Sequence, residues 1–211
     1  MEDIPFVDML LQRIENTFYA SNTFVLSEKE GTDVWLVDCG DYAAQVCHLL
    51  NGRKVRGVLI THTHSDHIYG LNALLSDFPD AVVCTSEFGK RALSDTKLNV
   101  SKYHVEVPDF IINPEARIVV LHEGDEVDMF PGVKAQVLST PGHDKSCLSY
   151  IIDDCLFTGD SYIPGERLLA IFPNSNKEDA KESCNRLIEL SKNFTVCPGH
   201  GVKHNSVERS D

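Results

Sequence analysis

Residues 60–70 read ITHTHSDHIYG, with His62, His64, Asp66 and His67 inside six positions. Imidazoles this crowded repel one another when protonated and gain nothing from burial when neutral, so the stretch asks for a metal ion. The β-branched run VRGVLI (55–60) leads into it, which puts the polar residues at the end of a strand, on a loop that opens a helix.

Three other segments repeat the arrangement. STPGHDKS (139–146) brings His143 after a strand, LFTGDSY (156–162) brings Asp160, and TVCPGHG (195–201) brings His200. A glycine precedes each of these three residues and lets backbone pack closely beside them. The four segments together supply five imidazoles and two carboxylates, a donor set suited to Zn²⁺, with iron or manganese as neighbouring choices.

Seven protein ligands are too many for one tetrahedral ion that keeps an open position, and two divalent ions sharing a carboxylate resolve the count. On this arithmetic His62, His64 and His143 hold one ion, Asp66, His67 and His200 hold the other, and Asp160 bridges them. A hydroxide between such ions is a nucleophile at neutral pH, which makes hydrolysis the expected chemistry, with Asp66 as the residue that orients the hydroxide and takes its proton. A structural metal site would be closed by four ligands, so a purely structural role does not fit. His48, His104, His122 and His204 stand apart from these segments and read as ordinary satisfied polar residues.

The rest of the chain sets the frame. Its 211 residues with 42% hydrophobic content are enough for one good-sized core, and a single domain is expected. Lys and Arg total 19 against 32 Asp and Glu, a net charge of -13, which repels phosphate backbones and anionic lipid. Nucleic acid and membrane are therefore not expected as partners, and a small-molecule substrate is; oligomeric state is not legible. The opening MEDIPFVDMLLQRIEN lacks a basic stretch followed by an apolar one, and no segment offers the ~18 apolar residues of a membrane span. The 7 cysteines contain no C-x-x-C pair and sit mostly in apolar runs, so they read as small buried hydrophobes in a reducing, cytoplasmic setting.

Alternating and β-branched runs predict strands in 17–28, 33–40, 55–61, 81–86, 116–122, 133–140, 147–153 and 154–160, with a last strand before His200. Helices are expected in 41–52, in 71–80 and most clearly in NSNKEDAKESCNRLIELSK (174–192), capped by Ser175 or Asn176. There Ala180, Cys184, Leu187 and Ile188 recur at helical spacing and predict the core-facing side. Two strand-rich halves, each with helices, imply an α/β protein of the four-layer αββα sandwich type. The least regular segment, Thr85 to Pro114, is expected to be a substrate-facing flap.

The ordered set THTHSDH, TPGH, FTGDS and PGHG resembles the metallo-β-lactamase-fold superfamily, from about Asn22 to His200. The resemblance implies the αββα sandwich with metals at one edge between the sheets, and a supporting role for Asp38 of WLVDCGD beneath the metal loop. β-Lactamases of the superfamily carry Cys or Ser where this chain has Asp160, so antibiotic hydrolysis is not implied. The 40 positions from Asp160 to His200 leave no room for the domain that RNA-processing nucleases insert there. Residues 85–104, 121–143 and 157–179 look most like glyoxalase II, a thioesterase. Glyoxalase II continues into a helical glutathione-binding domain, whereas here eleven residues follow His200, so a smaller thioester, ester or lactone is the expected substrate.

Arg167, where relatives meet an anionic substrate group, and Tyr162, a donor to an oxyanion, are the expected substrate contacts; Lys145 and Tyr103 are weaker candidates. Two other readings stay open. Persulfide dioxygenases resemble the same branch and use one iron, which His62, His143 and Asp160 would hold; a non-catalytic relative is the other, though none of the seven ligands is lost. Flavin-dependent relatives need a flavodoxin-like domain for which the chain has no space.

Overall fold

Parallel strand pairs need long crossovers, and the crossovers decide where the helices go. The computed structural model describes residues 9–42, 44–105 and 108–201. The first sheet runs β1 (Met9–Glu15), β2 (Asn22–Glu28), β3 (Asp33–Val37), β4 (Lys54–Leu59), β5 (Val82–Thr85) and β6 (Arg117–Val120), hydrogen-bonded in that order. The first three strands pair antiparallel, and β3 to β6 pair parallel. The crossovers between the parallel strands carry α1 (Ala44–Leu50), α2 (Ser65–Ile68), α3 (Leu71–Asp77) and α4 (Glu87–Ala92).

The second sheet contains β7 (Glu126–Phe130), β8 (Val133–Ser139), β9 (Leu148–Ile152), β10 (Cys155–Gly159) and β11 (Thr195–Pro198), in the order β11-β10-β9-β8-β7. Its one parallel pair, β10 with β11, is bridged by α5 (Lys177–Leu190). Asn176 caps α5, its side chain accepting from the Glu178 and Asp179 backbone N–H groups.

Apolar packing sorts into three layers, which makes the molecule the four-layer αββα sandwich expected. Val46, Leu50, Ile68, Leu71 and Leu74 from the helices meet Val25, Val34, Leu36, Val58 and Val83 on the outer face of the first sheet. Phe24, Leu26, Trp35 and Leu59 meet Val137, Leu148, Tyr150, Ile152 and Phe157 between the sheets. Leu187 of α5 meets Leu138 and Leu156 on the outer face of the second sheet. Buried bonds also cross between the sheets, among them Trp35 Nε1 donating to the Met129 carbonyl at 3.1 Å and the Tyr150 hydroxyl to the Ile60 carbonyl at 2.7 Å.

Four expectations need correction. Strands β1 and β7 were not anticipated, because short runs such as EVDMF alternate with acids and offer little apolar signal. The Thr85–Pro114 segment is not irregular throughout: Ser86 accepts from the Gly89 N–H and caps α4, and a 3-10 turn forms at Ser101–Tyr103. Helix α5 buries Ala180, Ser183 and Leu187, while Ile188 is 38% exposed and Cys184 half-buried, so its inward stripe is rotated from the predicted one. Of the seven free cysteines five are buried, but Cys47 is exposed. Among the described residues no helix is long and apolar enough to cross a membrane. His204 lies outside the described residues.

Candidate metal centre

Each predicted site segment leaves the C-terminal end of a strand. His62, His64, Asp66 and His67 follow β4, His143 follows β8, Asp160 follows β10 and His200 follows β11, so both sheets contribute. All seven side chains meet. Three groupings bring ligand atoms within 4.8 Å of one another: His62 with His64 and His143, His62 with His67 and Asp160, and Asp66 with His67 and His200.

Glycine makes the convergence sterically open. A Cβ on Gly199 would stand 2.1 Å from Asp160 Oδ1 and 2.9 Å from His67, so no larger residue fits before His200 without moving the site. Gly159 is left-handed at φ 49°, and the β10–β11 register shifts between Phe157 and Gly159, an irregularity of the kind that re-aims a side chain beside a site. Serine and asparagine at the start of β2 tie the loops together: Ser21 Oγ donates to the Asp66 carbonyl at 2.5 Å, and Asn22 Nδ2 to the Pro198 carbonyl at 2.9 Å.

Neighbours fix the tautomers of three of the imidazoles. The Leu169 carbonyl, 2.8 Å from His143 Nδ1, can only accept, so Nδ1 carries the proton and Nε2 offers its lone pair to the centre. Thr61 Oγ1 donates to Asp38 Oδ2 at 2.7 Å and lies 3.2 Å from His62 Nδ1; it accepts there, leaving His62 Nε2 buried without a partner. His67 Nδ1 donates to Asp38 Oδ2 at 2.8 Å and likewise frees its Nε2. His64 differs: its Nδ1 faces inward, 3.0 Å from His143 Nε2, and its Nε2 faces Asp144 Oδ2 at 3.6 Å.

This arrangement fits divalent cations. Ligand atoms of His62, His64 and His143 converge within 4.8 Å of one another, and His62 Nε2 and Asp160 Oδ1 are buried without a hydrogen-bond partner. Burial, with the charge of His67 and His64, pushes His62 well below the usual histidine value, and burial likewise lowers His143, so both stay neutral as ligation requires. On the other side burial opposes protonation of His67, but Asp66, Asp38 and Asp160 outweigh it and raise it to about 9. Burial is outweighed at His200 too, where hydrogen bonds to Asp160 and Asp66 raise it to about 11. Two protonated Nε2 atoms do not sit comfortably 3.3 Å apart, whereas a divalent ion satisfies both lone pairs and both carboxylates at once. Asp160 and Asp66 resist burial through the charge of His67 and their bonds with His200, and both stay below the usual carboxylate range.

The centre opens into a cleft of about 580 Å³, lined in part by Tyr162, Ile163 and residues 165–169. Tyr162 and Arg167 are both on its wall, Arg167 exposed and Tyr162 half-buried. Val100 and His104, from the expected flap, line it as well. Lys145 and Tyr103 do not; Lys145 lies 6.0 Å from the Phe88 ring and Tyr103 is exposed. His48 and His122 are exposed and away from the centre, while His104 Nδ1 meets the Tyr19 hydroxyl at 3.0 Å.

Asp144, Ser146 and Phe172 escaped the sequence reading. Asp144 Oδ1 accepts from Ser146 N at 2.8 Å and from Ser146 Oγ at 2.6 Å, and Ser146 Oγ in turn meets the Thr63 N–H at 3.0 Å, locking the HDKS turn to the histidine loop. Phe172 lays its ring 4.6 Å from His64 and 5.5 Å from His143. The only signal was position: Asp144 adjoins His143, and Phe172 sits in the segment after Asp160.

A sequence profile described as the metallo-beta-lactamase superfamily matches residues 16–200. The chain belongs to the metallo-β-lactamase superfamily. Among its relatives, a Streptococcus pyogenes protein named "Probable metallo-hydrolase" is 27% identical over 200 residues, covering 92% of this chain and 84% of that protein. A hydroxyacylglutathione hydrolase of Hahella chejuensis is 34% identical over 134 residues, 61% of this chain but 42% of the hydrolase, so the likeness spans less than half of that enzyme. The crystal structure of BLEG-1, a B3 metallo-β-lactamase, superposes with a TM-score of 0.81 at 21% identity, covering 95% of this chain and all of that one, which shows the shared fold. The metallo-β-lactamase superfamily is one of metallo-hydrolases, and the histidine and aspartate cluster of this member suits divalent metals.

Proposed function

We propose that the protein is a binuclear metal-dependent hydrolase of a small thioester, ester or lactone. The observation that carries the reading is the position of Asp160. Its carboxylate lies 3.6 Å from His143 Nε2 on one side, and 3.6 Å from His67 Nε2 and 3.4 Å from His200 Nε2 on the other, so one residue faces both histidine groups. His62, His64 and His143 would hold one ion, Asp66, His67 and His200 the other, with Asp160 shared. Zinc is the ion that best suits a set so rich in imidazole, with iron and manganese as alternatives. Divalent ions held there supply Lewis acidity toward a carbonyl oxygen and bring the pKa of water toward ~7.

The remaining work falls to side chains. Asp66, ionised and facing the cleft, orients the attacking water and accepts its proton. Tyr162 donates to the developing oxyanion, and Arg167 at the exposed wall meets an anionic group of the substrate. Thioesters head the substrate list because hydroxyacylglutathione hydrolases are among the relatives. A net charge of -13 and seven free thiols favour a small-molecule substrate, rather than nucleic acid or membrane, in a reducing cytoplasm.

The test is elemental analysis of the purified chain beside a thioester, ester and lactone screen. Close to two ions per chain with turnover supports the proposal, and Asp160→Ala is expected to lower both metal content and activity by at least tenfold. Two ions and full activity in that variant would defeat the shared-carboxylate assignment. One iron per chain, with oxygen uptake on a persulfide, would move the protein to the mononuclear oxidoreductase reading built on His62, His143 and Asp160.

A further inference from the structure

The cleft beside the cluster is of ligand size: its 580 Å³ falls within the ~300–1,000 Å³ of small-molecule sites. One end is the ligand cluster, with His64, Asp66, His143, Asp160 and His200 on its surface. The wall that leaves this end is apolar, formed by Val100, Ile163, Leu168, Leu169, Phe172 and Ile188. It begins in direct contact with the cluster, because Phe172 stands edge-on to His64 and the Leu169 carbonyl holds His143.

Two features show that this wall is not leftover core. Helix α5 satisfies the second sheet with Ala180, Ser183 and Leu187, and turns the adjacent face, Cys184 and Ile188, to the cleft. Opposite them the 162–172 segment keeps Leu169 48% exposed. Apolar surface left wet on both sides of a cleft is dried by whatever fills it. Charge outside the ligand cluster comes from Arg167 and Glu166, one of each sign, which suits an amphipathic molecule better than a polyanion.

We infer that this wall is an acyl-chain subsite, and that the substrate carries an apolar chain of several carbons on the acyl side of the scissile bond. The inference rests on the hydrolase reading for its reaction, but the subsite itself can be tested by binding alone. The carbonyl carbon is placed at the cluster, and a chain attached to it runs past Phe172 to Ile188. A polar group on the other side of that bond then points away, toward the Arg167 rim.

The experiment uses the metal-loaded full chain and non-hydrolysable S-alkyl thioethers of N-acetylcysteamine with methyl, propyl and hexyl groups, titrated calorimetrically. Burial of a methylene is worth ~0.8 kcal/mol, about a fourfold gain in affinity each. The hexyl probe is expected to bind at least tenfold more tightly than the methyl probe, and Ile188→Asp to flatten the series while far-UV circular dichroism stays unchanged. Equal affinity across the series in the native chain overturns the subsite, as does a series that Ile188→Asp leaves as steep as before. Acetyl, butyryl and hexanoyl thioesters are assayed in parallel. A graded binding series without turnover of any ester sinks the hydrolase reading and keeps the subsite; turnover with flat binding does the reverse.

Discussion

Asp38 sits in the left-handed region at φ 58°, where a side chain other than glycine is tolerated mainly when it can hydrogen-bond locally. Its carboxylate takes the Thr61 N–H at 2.7 Å, the Thr61 hydroxyl at 2.7 Å and His67 Nδ1 at 2.8 Å, so one strained residue sets two inward-facing imidazoles, His67 directly and His62 through Thr61. Asp38→Asn removes the charge and one acceptor oxygen, and is expected to weaken metal affinity roughly 10–100-fold, read by competition with a chromophoric chelator. Unchanged affinity would reduce Asp38 to a turn residue. At this scale the converging cluster was legible, because His62, His64, Asp66, His67, His143, Asp160 and His200 all stand at strand ends in short polar motifs. Asp144 was not, since what gives it meaning is a distance of 3.6 Å to His64, on another strand's loop.

Helices show where periodicity stops being informative. Spacing alone gave Ala180, Cys184, Leu187 and Ile188 one stripe on α5, but an apolar stripe wide enough to meet both a sheet and a cleft does not reveal which part meets which. Leu187→Ala is therefore expected to cost about 2–5 kcal/mol in urea denaturation and Ile188→Ala less than about 1 kcal/mol. Equal costs would return Ile188 to the core. The same helix is tied to the sheet turn by Arg186, whose guanidinium donates to Glu123 Oε1 at 2.7 Å, while Glu123 Oε2 accepts from Ser139 N at 2.6 Å. The Arg186 bond is the main cause that holds Glu123 below the usual carboxylate range. A depressed carboxyl stabilises the fold above the unfolded value of ~4.3 and loses that contribution as pH falls through its own lower value. Glu123→Gln should thus lower the melting temperature slightly at pH 7, consistent with the ~0.2–1 kcal/mol of exposed pairs, and the difference should close as pH falls through the lowered folded value of the carboxyl. A gap that persists at pH 3 would rule out the ion pair as its source.

Across the whole molecule the candidate ligands straddle the sandwich, with His62, His64, Asp66 and His67 from the first sheet and His143, Asp160 and His200 from the second. Ions held there would act as a clamp between layers that otherwise meet mainly through apolar contacts. Chelation should lower the melting temperature by about 10 °C, the effect of ~4 kcal/mol of linked binding on a chain of this size, with recovery on adding Zn²⁺. A melting curve indifferent to chelator would show that the layers hold without the ions. The sandwich itself was readable from its alternating strands, while the cleft was not, since it is made by a loop and a helix face brought together only in three dimensions. That geometry has an evolutionary side. Because Cys184 and Ile188 answer to whatever enters the cleft and hardly to the core beneath, they are free to drift, and a lineage built on this scaffold can exchange one substrate for another without first risking its fold.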